Sequence, residues 1–546
     1  MLKEAAHFKI FAWFVIAGLA LFPNMGNADQ AANYKKNDVG LYRDVFDQNI
    51  YYEGTNFLHL ERLYRAIFRK KSRSANINIF DEVPDSNFFT NRHARTRLNA
   101  RELEEGFRQG APPSSNGKLT VTKGKFEGLH PGFYVRDDKG DEYLLKFDPL
   151  DYFELATGAE TVANRFLYAI GYNVPQYDVF YFNADRLVPA PEATTVDDTG
   201  FCKKLDQAKL EEYLLYLPQG DDGKYRAAAS NLLKGENLGG FSFAGRRKDD
   251  REDIYDHQDR REIRALRVFS SWINNNDVRE GNTLDVLVEE NGRSFIKHYL
   301  IDFNASLGAG SDGAKPPMFT HEYMIDYGEA TKAFLGLGLW QKPWQKRWQE
   351  AGETFSQSPA VGYFDNRYFD PSKYKTQLPY FAFKDLTRAD GFWAARIIMS
   401  FTDDDIRAMV KAGEYSEPED ADYIAQTLIE RRDIIGRYWF SESNPLDKFS
   451  MTGDALTFNN LAVDYGFESK EGITYHVKII EKIKKRGKEL ETIQISQPSV
   501  DLGKWLSEAG SLDILIKTEW AQQGELSPMV LVEIRQGKVA GIIHED

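Results

Sequence analysis

The stretch NNNDVREGNTLDVLVEENGRSFIKHYLIDFNASLG, residues 274–308, decides the fold of this chain. It places Asp277 five residues before Asn282, continues with two runs typical of paired strands, and ends on Asp302 within an apolar strand end. An acidic residue in such a position is costly to bury unless it is paired, bound to a metal or solvated. The stretch therefore predicts one β-hairpin that brings these three polar side chains together.

The residues before this hairpin predict a small sheet followed by a helix. Residues 119–147 alternate apolar and polar positions between Gly-bearing turns, which is typical of three antiparallel strands. Residues 157–171 carry apolar side chains on one helical face and end on Gly171, which predicts a helix. The run NVPQYDVFYF then returns to a strand pattern.

The residues after the hairpin predict a helical region and then a β-rich one. Helical patterns dominate from about 320 to 445, and Asp405 is placed to close a capping box on Thr402. The last hundred residues read as strands. The predicted division is a signal peptide (1–28), a helical extension (29–115), a middle domain (116–445, with lobes at about 116–185 and 205–445) and a C-terminal β-rich domain (446–546).

Bulk composition narrows the classes of function. At 546 residues and 62.5 kDa the chain exceeds the usual size of one core, so two or three domains are expected. A net charge of −14 and a pI near 5.3 argue against a broad surface for nucleic acid, because phosphate binding requires clustered Lys and Arg. We expect no nucleic-acid partner.

The N-terminus predicts export. Lys3 and Lys9 precede an apolar run of 13 residues, Ile10–Phe22, and small residues follow up to Ala28. This is the layout of a secretory signal peptide, and the run is shorter than the roughly 20 residues that span a bilayer. We expect a mature chain that starts near Asp29, has no transmembrane span and is periplasmic or secreted; an uncleaved anchor is the alternative. With Cys202 alone, neither an intramolecular disulfide nor a Cys-based zinc site can form.

Five residues occur in an order that suits phosphoryl transfer from a nucleotide. In such an enzyme a strand Lys holds the α- and β-phosphates and a helix Glu pins that Lys. An Asp positions the acceptor hydroxyl, and an Asn with a second Asp holds divalent ions. The candidates are Lys146, Glu160, Asp277, Asn282 and Asp302.

Each candidate also has a structural explanation. Lys146 could pack its stem on apolar surface at a strand end. Glu160 lies three residues after Thr157, so a capping box would account for it. An Asp-x4-Asn pair also occurs by chance, and His298, on the same strand face as Asp302, is expected to be a structural histidine. The five residue types in order, on the predicted elements, favour the functional interpretation.

Two segments resemble a known superfamily. The run ETVANRFLYAIGYNVP, 160–175, is similar to the helix Glu and Gly-x-x-Val-Pro turn of HipA-type kinases, and NNDVREGN, 275–282, resembles their Asn-x-Asp-x4-Asn loop. Over about 119–445 the chain thus resembles the atypical branch of the protein-kinase-like superfamily, which includes HipA-type, phosphatidylinositol and CotH-type kinases. The resemblance implies an α+β, bilobed fold with a small β-rich N-lobe and a large helical C-lobe, to which this chain adds its C-terminal β-rich domain. It also implies ATP with Mg²⁺ or Mn²⁺ in the cleft.

Several motifs depart from the active kinase patterns. His-Arg-Asp is replaced by residues 275–277 (Asn-Asn-Asp), Asp-Phe-Gly by residues 302–304 (Asp-Phe-Asn), and the Arg-His after the HipA-type Asp by Val278-Arg279. The first hairpin lacks Gly-x-Gly-x-x-Gly, and we predict that Gly128 and Gly132 help to bind nucleotide, because backbone amides there can cradle phosphates.

The run GAGSDG, 308–313, does spell Gly-x-Gly-x-x-Gly. A dinucleotide motif must open a helix, whereas Lys315, Pro316 and Pro317 follow here. We therefore predict a flexible loop in the place of an activation loop.

Two functions stay open at this point. The first is an exported atypical kinase that transfers a phosphoryl group from ATP to a hydroxyl of a protein, glycan or lipid. The second is a catalytically inactive kinase-like scaffold, suggested by the altered motifs and by the scarcity of ATP outside the cytoplasm. Nucleotidyl transfer from the same cleft would use the same residue types.

Overall fold

The computed structural model describes residues 34–36, 45–48, 72–124, 132–196, 201–342, 344–345, 358–483, 486–507, 509–521 and 524–546. Every element named below belongs to one compact unit within residues 36–546. The predicted signal peptide and part of the predicted helical extension, 29–115, lie outside the described residues.

The N-terminal sheet has seven strands in the order β4-β7-β3-β2-β1-β5-β6. Its strands are β1 (Leu119–Gly124), β2 (Gly132–Arg136), β3 (Glu142–Phe147), β4 (Tyr177–Phe182), β5 (Leu187–Val196), β6 (Cys202–Lys204) and β7 (Tyr225–Asn231). The predicted antiparallel pairing of the first three is confirmed, with Val121 opposite Val135 and Gly132 opposite Lys146. The sheet extends past residue 185, the predicted end of the N-lobe, because β5, β6 and β7 belong to it and β7 inserts between β3 and β4.

The predicted helix after this sheet is α3 (Leu155–Ile170), which follows the short helices α1 (His93–Thr96) and α2 (Ala100–Glu105). All its residues except Tyr168 are buried. A helix buried on every side is fixed by its neighbours rather than by one apolar face. Gly171 ends it at φ +145°, where a Cβ atom would lie 2.4 Å from the ring of Phe89.

The predicted hairpin at the centre of the chain is confirmed. Helix α5 (Arg261–Trp272) leads into a 3₁₀ turn, Glu280–Asn282, and then into β9 (Thr283–Glu290) and β10 (Arg293–Leu300). The two strands pair antiparallel from Thr283 opposite Leu300, and β8 (Glu236–Asn237) extends the sheet to three strands.

The rest of the chain is helical and then β-rich, as predicted. The helices are α4 (Gln207–Leu214), α6 (Tyr327–Leu335), α7 (Phe381–Lys384), α8 (Arg388–Met399), α9 (Asp403–Lys411), α10 (Pro418–Glu442), α11 (Leu461–Asp464) and α12 (Gly503–Leu506). The later strands are β13 (Leu446–Thr452), β14 (Ala455–Asn460), β15 (Thr474–Ile483), β16 (Arg486–Ile495), β17 (Ser499–Asp501), β18 (Ser511–Glu519), β19 (Val530–Arg535) and β20 (Lys538–His544). The capping box of Thr402 and Asp405 on α9 is present.

One apolar core joins α3, the helices of the middle region and the C-terminal strands, while a second lies within the N-terminal sheet. The fold is therefore α+β, with a small sheet-rich part, a large helical part and further β structure, as predicted. The domain boundaries at 115 and 445 stay predictions.

Residues 308–317 differ from the predicted loop. They contain a short hairpin of β11 (Ala309–Gly310) and β12 (Gly313–Ala314). Among the residues that the structure describes, we find no helix long and apolar enough to cross a membrane.

Candidate active site

The centre of the site is the buried ammonium group of Lys146. Its Nζ donates to both carboxylate oxygens of Glu160 at 2.9 and 3.0 Å, and to Oδ1 of Asp302 at 2.8 Å. The Lys146 side chain is 4% exposed, that of Glu160 0% and that of Asp302 25%. Two charges buried to this extent persist only when they are paired. Three of the predicted residues thus meet in one ion cluster.

The local sequence sets this geometry through Asp148, two residues after Lys146. The Asp148 carboxylate accepts hydrogen bonds from the backbone amides of Glu154 (3.0 Å), Ala156 (2.7 Å) and Thr157 (2.8 Å) at the start of α3. These are the amides that a helix leaves without an internal partner. The strand that carries Lys146 is thereby tied directly to the helix that carries Glu160.

The capping-box explanation of Glu160 is wrong. Helix α3 begins at Leu155 rather than at Thr157, so Thr157 lies inside it, and the Thr157 hydroxyl donates to Asp148 at 2.8 Å. Glu160 bonds instead to Lys146 and to the backbone amide of Phe303, at 3.0 Å. The glutamate is consequently part of the cluster.

The electrostatics favour a permanently charged lysine. Burial acts to lower the pKa of Lys146, but the negative charges of Asp302 and Glu160 outweigh it and raise the pKa well above its ordinary value. The ammonium group also lies 5.6 Å from the ring centroid of Tyr177, a contact that favours a cation. The site therefore presents a fixed positive charge beside the exposed edge of Asp302.

Asp302 follows β10 in a conformation that L-residues rarely adopt, with φ +62°. Such conformations cluster at functional sites, where the surroundings hold them in place. Here the amide of the next residue, Phe303, is held by Glu160, and the Phe303 ring is 2% exposed within the core. The backbone that follows Asp302 is thus fixed.

The predicted pair Asp277 and Asn282 is also brought together. Asn282 donates from Nδ2 to the backbone oxygen of Asp277 at 2.8 Å and to its carboxylate Oδ2 at 3.1 Å. The backbone oxygen of Asn282 accepts from the amide of Ile301 at 3.0 Å, so this loop adjoins the residue before Asp302. The Asp277 side chain keeps 20% of its surface exposed while Arg279 donates to it at 3.2 Å.

The loop of Asp277, residues 274–282, is braced by residues from later in the chain. The Tyr374 hydroxyl donates to the backbone oxygen of Asn275 at 2.6 Å, and the backbone amide of Gln377 donates to the backbone oxygen of Asn276 at 2.8 Å. The Tyr380 hydroxyl accepts from the amide of Glu280 at 3.0 Å. A carboxylate in a loop is useful to chemistry only when the loop is held in this way.

The predicted phosphate-binding glycines are only partly described. Gly132 lies at the start of β2, directly opposite Lys146 in the sheet. Gly128 lies outside the described residues. The roles of both glycines stay predictions.

Asn282 and Asp302 form a donor set that suits Mg²⁺ or Mn²⁺. In the described ranges, no group of three or more His, Cys, Asp or Glu side chains is arranged to hold a metal ion. Mg²⁺, however, is usually bound by one or two carboxylates together with waters and substrate phosphates. Hard oxygen ligands from Asp302 and Asn282 fit that mode of binding.

His298 has the structural role predicted for it. Its Nδ1 pairs with Oδ1 of Asp285 at 2.6 Å, and its ring stacks on Phe88 with a centroid separation of 3.6 Å. The sequence did not reveal two other residues. Asp148 could have been noticed as an acid directly before a helix, whereas Lys315, whose Nζ donates to Oδ1 of Asn276, has no local signal.

Comparisons with known proteins give kinases as structural neighbours. No family model matches the chain, and no curated protein matches it. Among solved structures, the Helicobacter pylori proinflammatory kinase CtkA aligns with a TM-score of 0.31 and 12% identity, over 59% of this chain and 96% of that one. A Golgi casein kinase with Mn and ADP bound aligns at 0.27 and 9% identity, over 62% of this chain and 74% of that one. A second Golgi casein kinase structure aligns at 0.28 and 9% identity, over 76% and 94%. At such TM-scores the similarity carries no weight in the proposal below, which depends on the contacts of the site.

Proposed function

We propose that the protein is an atypical kinase that transfers the γ-phosphoryl group of ATP to a hydroxyl. The observation that carries the proposal is the buried Lys146–Glu160–Asp302 cluster, with contacts of 2.8 to 3.0 Å, next to the loop of Asp277 and Asn282. A structural ion pair would need neither an exposed second carboxylate nor a braced polar loop beside it. A cleft for phosphates, by contrast, uses an accessible carboxylate as a metal ligand and a positioned acid–base residue.

Each residue has one task in this proposal. Lys146 binds the α- and β-phosphates, and Glu160 holds Lys146 in place while it accepts from Phe303. Asp277 orients the acceptor hydroxyl and takes its proton, and the side-chain amide of Asn282 fixes the Asp277 carboxylate. The chain therefore contributes by positioning and by stabilising charge, which are the main sources of catalysis in phosphoryl transfer.

Asn282 and Asp302 would hold the divalent ion. When bound, Mg²⁺ or Mn²⁺ neutralises charge on the phosphates. Asp302 already contacts Lys146 at 2.8 Å, so the lysine and a metal would share this carboxylate. Gly132, opposite Lys146 on the neighbouring strand β2, would help to bind the phosphates.

A thermal-shift titration of the purified protein with ATP, with and without Mg²⁺ or Mn²⁺, tests the proposal. A ligand at 100 times its dissociation constant should stabilise the protein by about 2.7 kcal/mol. We expect stabilisation that depends on the metal and is lost in Asp302→Ala. The exposed residue Asp185 provides a matched control, since Asp185→Ala should behave as the wild type.

The products decide between the alternatives. ADP formation supports phosphoryl transfer, whereas AMP and pyrophosphate would indicate nucleotidyl transfer. A folded protein that ATP at millimolar concentration does not stabilise would be the inactive scaffold. Asp277→Asn should abolish transfer but keep nucleotide binding.

We also propose that the protein acts outside the cytoplasm, on the strength of its N-terminal sequence. Mass spectrometry of the protein recovered from an exporting host should find Asp29 at the N-terminus. An N-terminus at Met1 would contradict cleavage of the signal peptide.

A further inference from the structure

The hairpin of β11 and β12 has no task in the proposed function, although it lies only a short segment, 303–308, after Asp302 in the chain. Its sequence is the glycine-rich run of residues 308–313, and Lys315 comes immediately after it. The amide of Lys315 donates to the backbone oxygen of Gly308 at 2.8 Å, which closes the hairpin at its base. The hairpin thus fixes the backbone position of Lys315.

The side chain of Lys315 reaches the loop of Asp277. Its Nζ donates to Oδ1 of Asn276, the residue directly before Asp277. Asn276 in turn donates from Nδ2 to the backbone oxygen of Phe319 at 2.8 Å, and the Lys315 ammonium lies 5.4 Å from the Phe319 ring centroid. A flexible lysine is therefore held at a defined place beside the base.

The glycines of the hairpin leave room for this lysine. A Cβ atom on Gly310 would lie 2.8 Å from Cγ of Lys315, closer than side-chain atoms tolerate. Gly313, at φ +136°, packs against the ring of Tyr152, where a Cβ atom would lie 2.5 Å away. The glycine-rich run is thus explained by the path of Lys315 and by close packing, without any dinucleotide.

The charges around Lys315 indicate what it faces. Burial lowers the pKa of Lys315 to about 8, and the carboxylates of Asp277, Asp302 and Asp312 oppose this shift. Lys146, by comparison, is paired directly with the carboxylates of Glu160 and Asp302. Lys315 is consequently a second cation, bonded to the residue before the proposed base and within electrostatic range of Asp277 and Asp302.

We propose that Lys315 is a catalytic residue that contacts the γ-phosphoryl group of ATP during its transfer, an inference that rests on the proposed kinase function. In the transfer, the acceptor oxygen forms a bond to the γ-phosphorus, and the bond from that phosphorus to the β,γ-bridging oxygen breaks. The acceptor proton passes to Asp277, and ADP leaves with the bridging oxygen. Lys315 stays protonated and donates from Nζ to an oxygen of the moving group, exchanging the neutral amide oxygen of Asn276 for a charged one. Hydrogen bonds to ionised oxygen are the stronger kind.

The difference between ATP and ADP provides the test, because only ATP carries the γ-phosphoryl group. We would measure the dissociation constants of both with Mg²⁺ by calorimetry, for the wild type, Lys315→Met, Lys315→Arg and Lys146→Met. Lys315→Met should raise the dissociation constant of ATP by about 10- to 100-fold, the range for a hydrogen bond to a charged group. It should leave the dissociation constant of ADP within about twofold of the wild-type value. Lys315→Arg should recover part of the loss, and Lys146→Met should weaken both nucleotides.

The controls keep the two proposals apart. Unchanged ADP binding in Lys315→Met shows that this variant is folded, and Lys504→Met, a change at a side chain 71% exposed, should match the wild type. Equal effects of Lys315→Met on ATP and ADP, or no effect on either, would overturn the role of Lys315 while the kinase proposal stands. A wild-type protein that binds neither nucleotide would overturn the kinase proposal, and the role of Lys315 with it.

Discussion

Both the stability and the proposed chemistry of the site depend on the ammonium group of Lys146. Its removal in Lys146→Met leaves Glu160, which is 0% exposed, without its cation. Breaking a buried pair from one side costs about 3–5 kcal/mol. We expect a loss of this size in the free energy of unfolding, measured by urea denaturation.

The double variant Lys146→Met/Glu160→Gln distinguishes the charge from the packing. It removes both charges, so it should be more stable than the sum of the single variants predicts. Lys478→Met is the surface control, since Lys478 and Glu489 form an ion pair whose side chains are 43% and 52% exposed. Exposed pairs contribute about 0–1 kcal/mol. Strict additivity of the two buried substitutions would contradict the pairing.

Lys315 gives the site a dependence on pH. Its pKa is lowered to about 8 by burial, with Asp277, Asp302 and Asp312 opposing the shift. In the free protein the positive charge is therefore lost as the pH rises through about 8. Since kcat/KM reports the protonation of the free enzyme, we expect kcat/KM for ATP turnover to decline on the alkaline side with a midpoint near that pH.

Lys315→Arg tests this assignment, because a guanidinium group stays protonated throughout that range. The kcat/KM of Lys315→Arg should not decline above pH 8, whatever the absolute rate of the variant. The same alkaline decline in Lys315→Arg as in the wild type would assign the titration to another group.

At the scale of elements, α3 is positioned by a side chain outside it. Asp148 accepts from three backbone amides and one hydroxyl at the start of the helix, and it is 1% exposed. Loss of an N-terminal cap costs up to about 2 kcal/mol, and a buried donor left unsatisfied costs about 1–3 kcal/mol. We expect Asp148→Ala to lower the free energy of unfolding by at least about 2 kcal/mol, measured by denaturation. ATP binding should also weaken, because α3 carries Glu160.

Asp206 offers a matched control on another helix. It caps α4 by accepting from the amide of Lys209 at 3.0 Å, but it is exposed and remote in sequence from the cluster. Asp206→Ala should cost about 0.5–1 kcal/mol and leave the dissociation constant of ATP unchanged. If both variants weakened ATP alike, the coupling of Asp148 to the site would be wrong.

Local patterns made much of this organisation predictable. The strands of residues 119–147, the helix over 155–170 and the hairpin over 283–300 each follow from periodicity within a few residues. The candidate residues on them were found in order for the same reason. The meeting of Lys146, Glu160 and Asp302 was an inference from that order.

Contacts between distant parts of the chain could not be predicted in this way. Lys315 and Asn276 are 39 residues apart, and neither lies in a periodic pattern. The insertion of β7 between β3 and β4 depends on pairing that a single strand sequence does not specify. The run 308–313 was predicted as a flexible loop, but it forms the hairpin of β11 and β12, in which Gly310 and Gly313 allow close approaches to Lys315 and Tyr152 that no local pattern indicates.

At the scale of the whole molecule, a buried ion network connects four parts of the chain. Asp81, before α1, accepts from Arg261 of α5 at 2.9 Å and is paired with His544 of β20 at 2.9 Å. Arg261 also donates to Asp390 of α8 at 2.9 Å. These four side chains are all buried, so the last strand is fixed to the helices by buried polar pairs as well as by the shared apolar core.

This network makes stability depend on acid pH. Burial acts to raise the pKa of Asp81, but Arg261, His544 and Arg73 outweigh it and hold the pKa well below its usual range. A carboxylate with a depressed pKa in the folded protein contributes stability that is present above its unfolded pKa of about 3.9 and is lost as the pH falls below that value.

We expect Asp81→Asn to be less stable than the wild type by about 3–5 kcal/mol at pH 7, because it leaves Arg261 with one partner fewer. This difference in the free energy of unfolding should narrow as the pH drops below about 4, where the wild type itself loses this contribution. Urea denaturation at a series of pH values measures the effect, with the exposed Asp185→Asn as the variant expected to follow the wild type throughout. A gap between Asp81→Asn and the wild type that stayed constant from pH 7 to pH 3.5 would show that the ionised form of Asp81 is not what holds the four parts together.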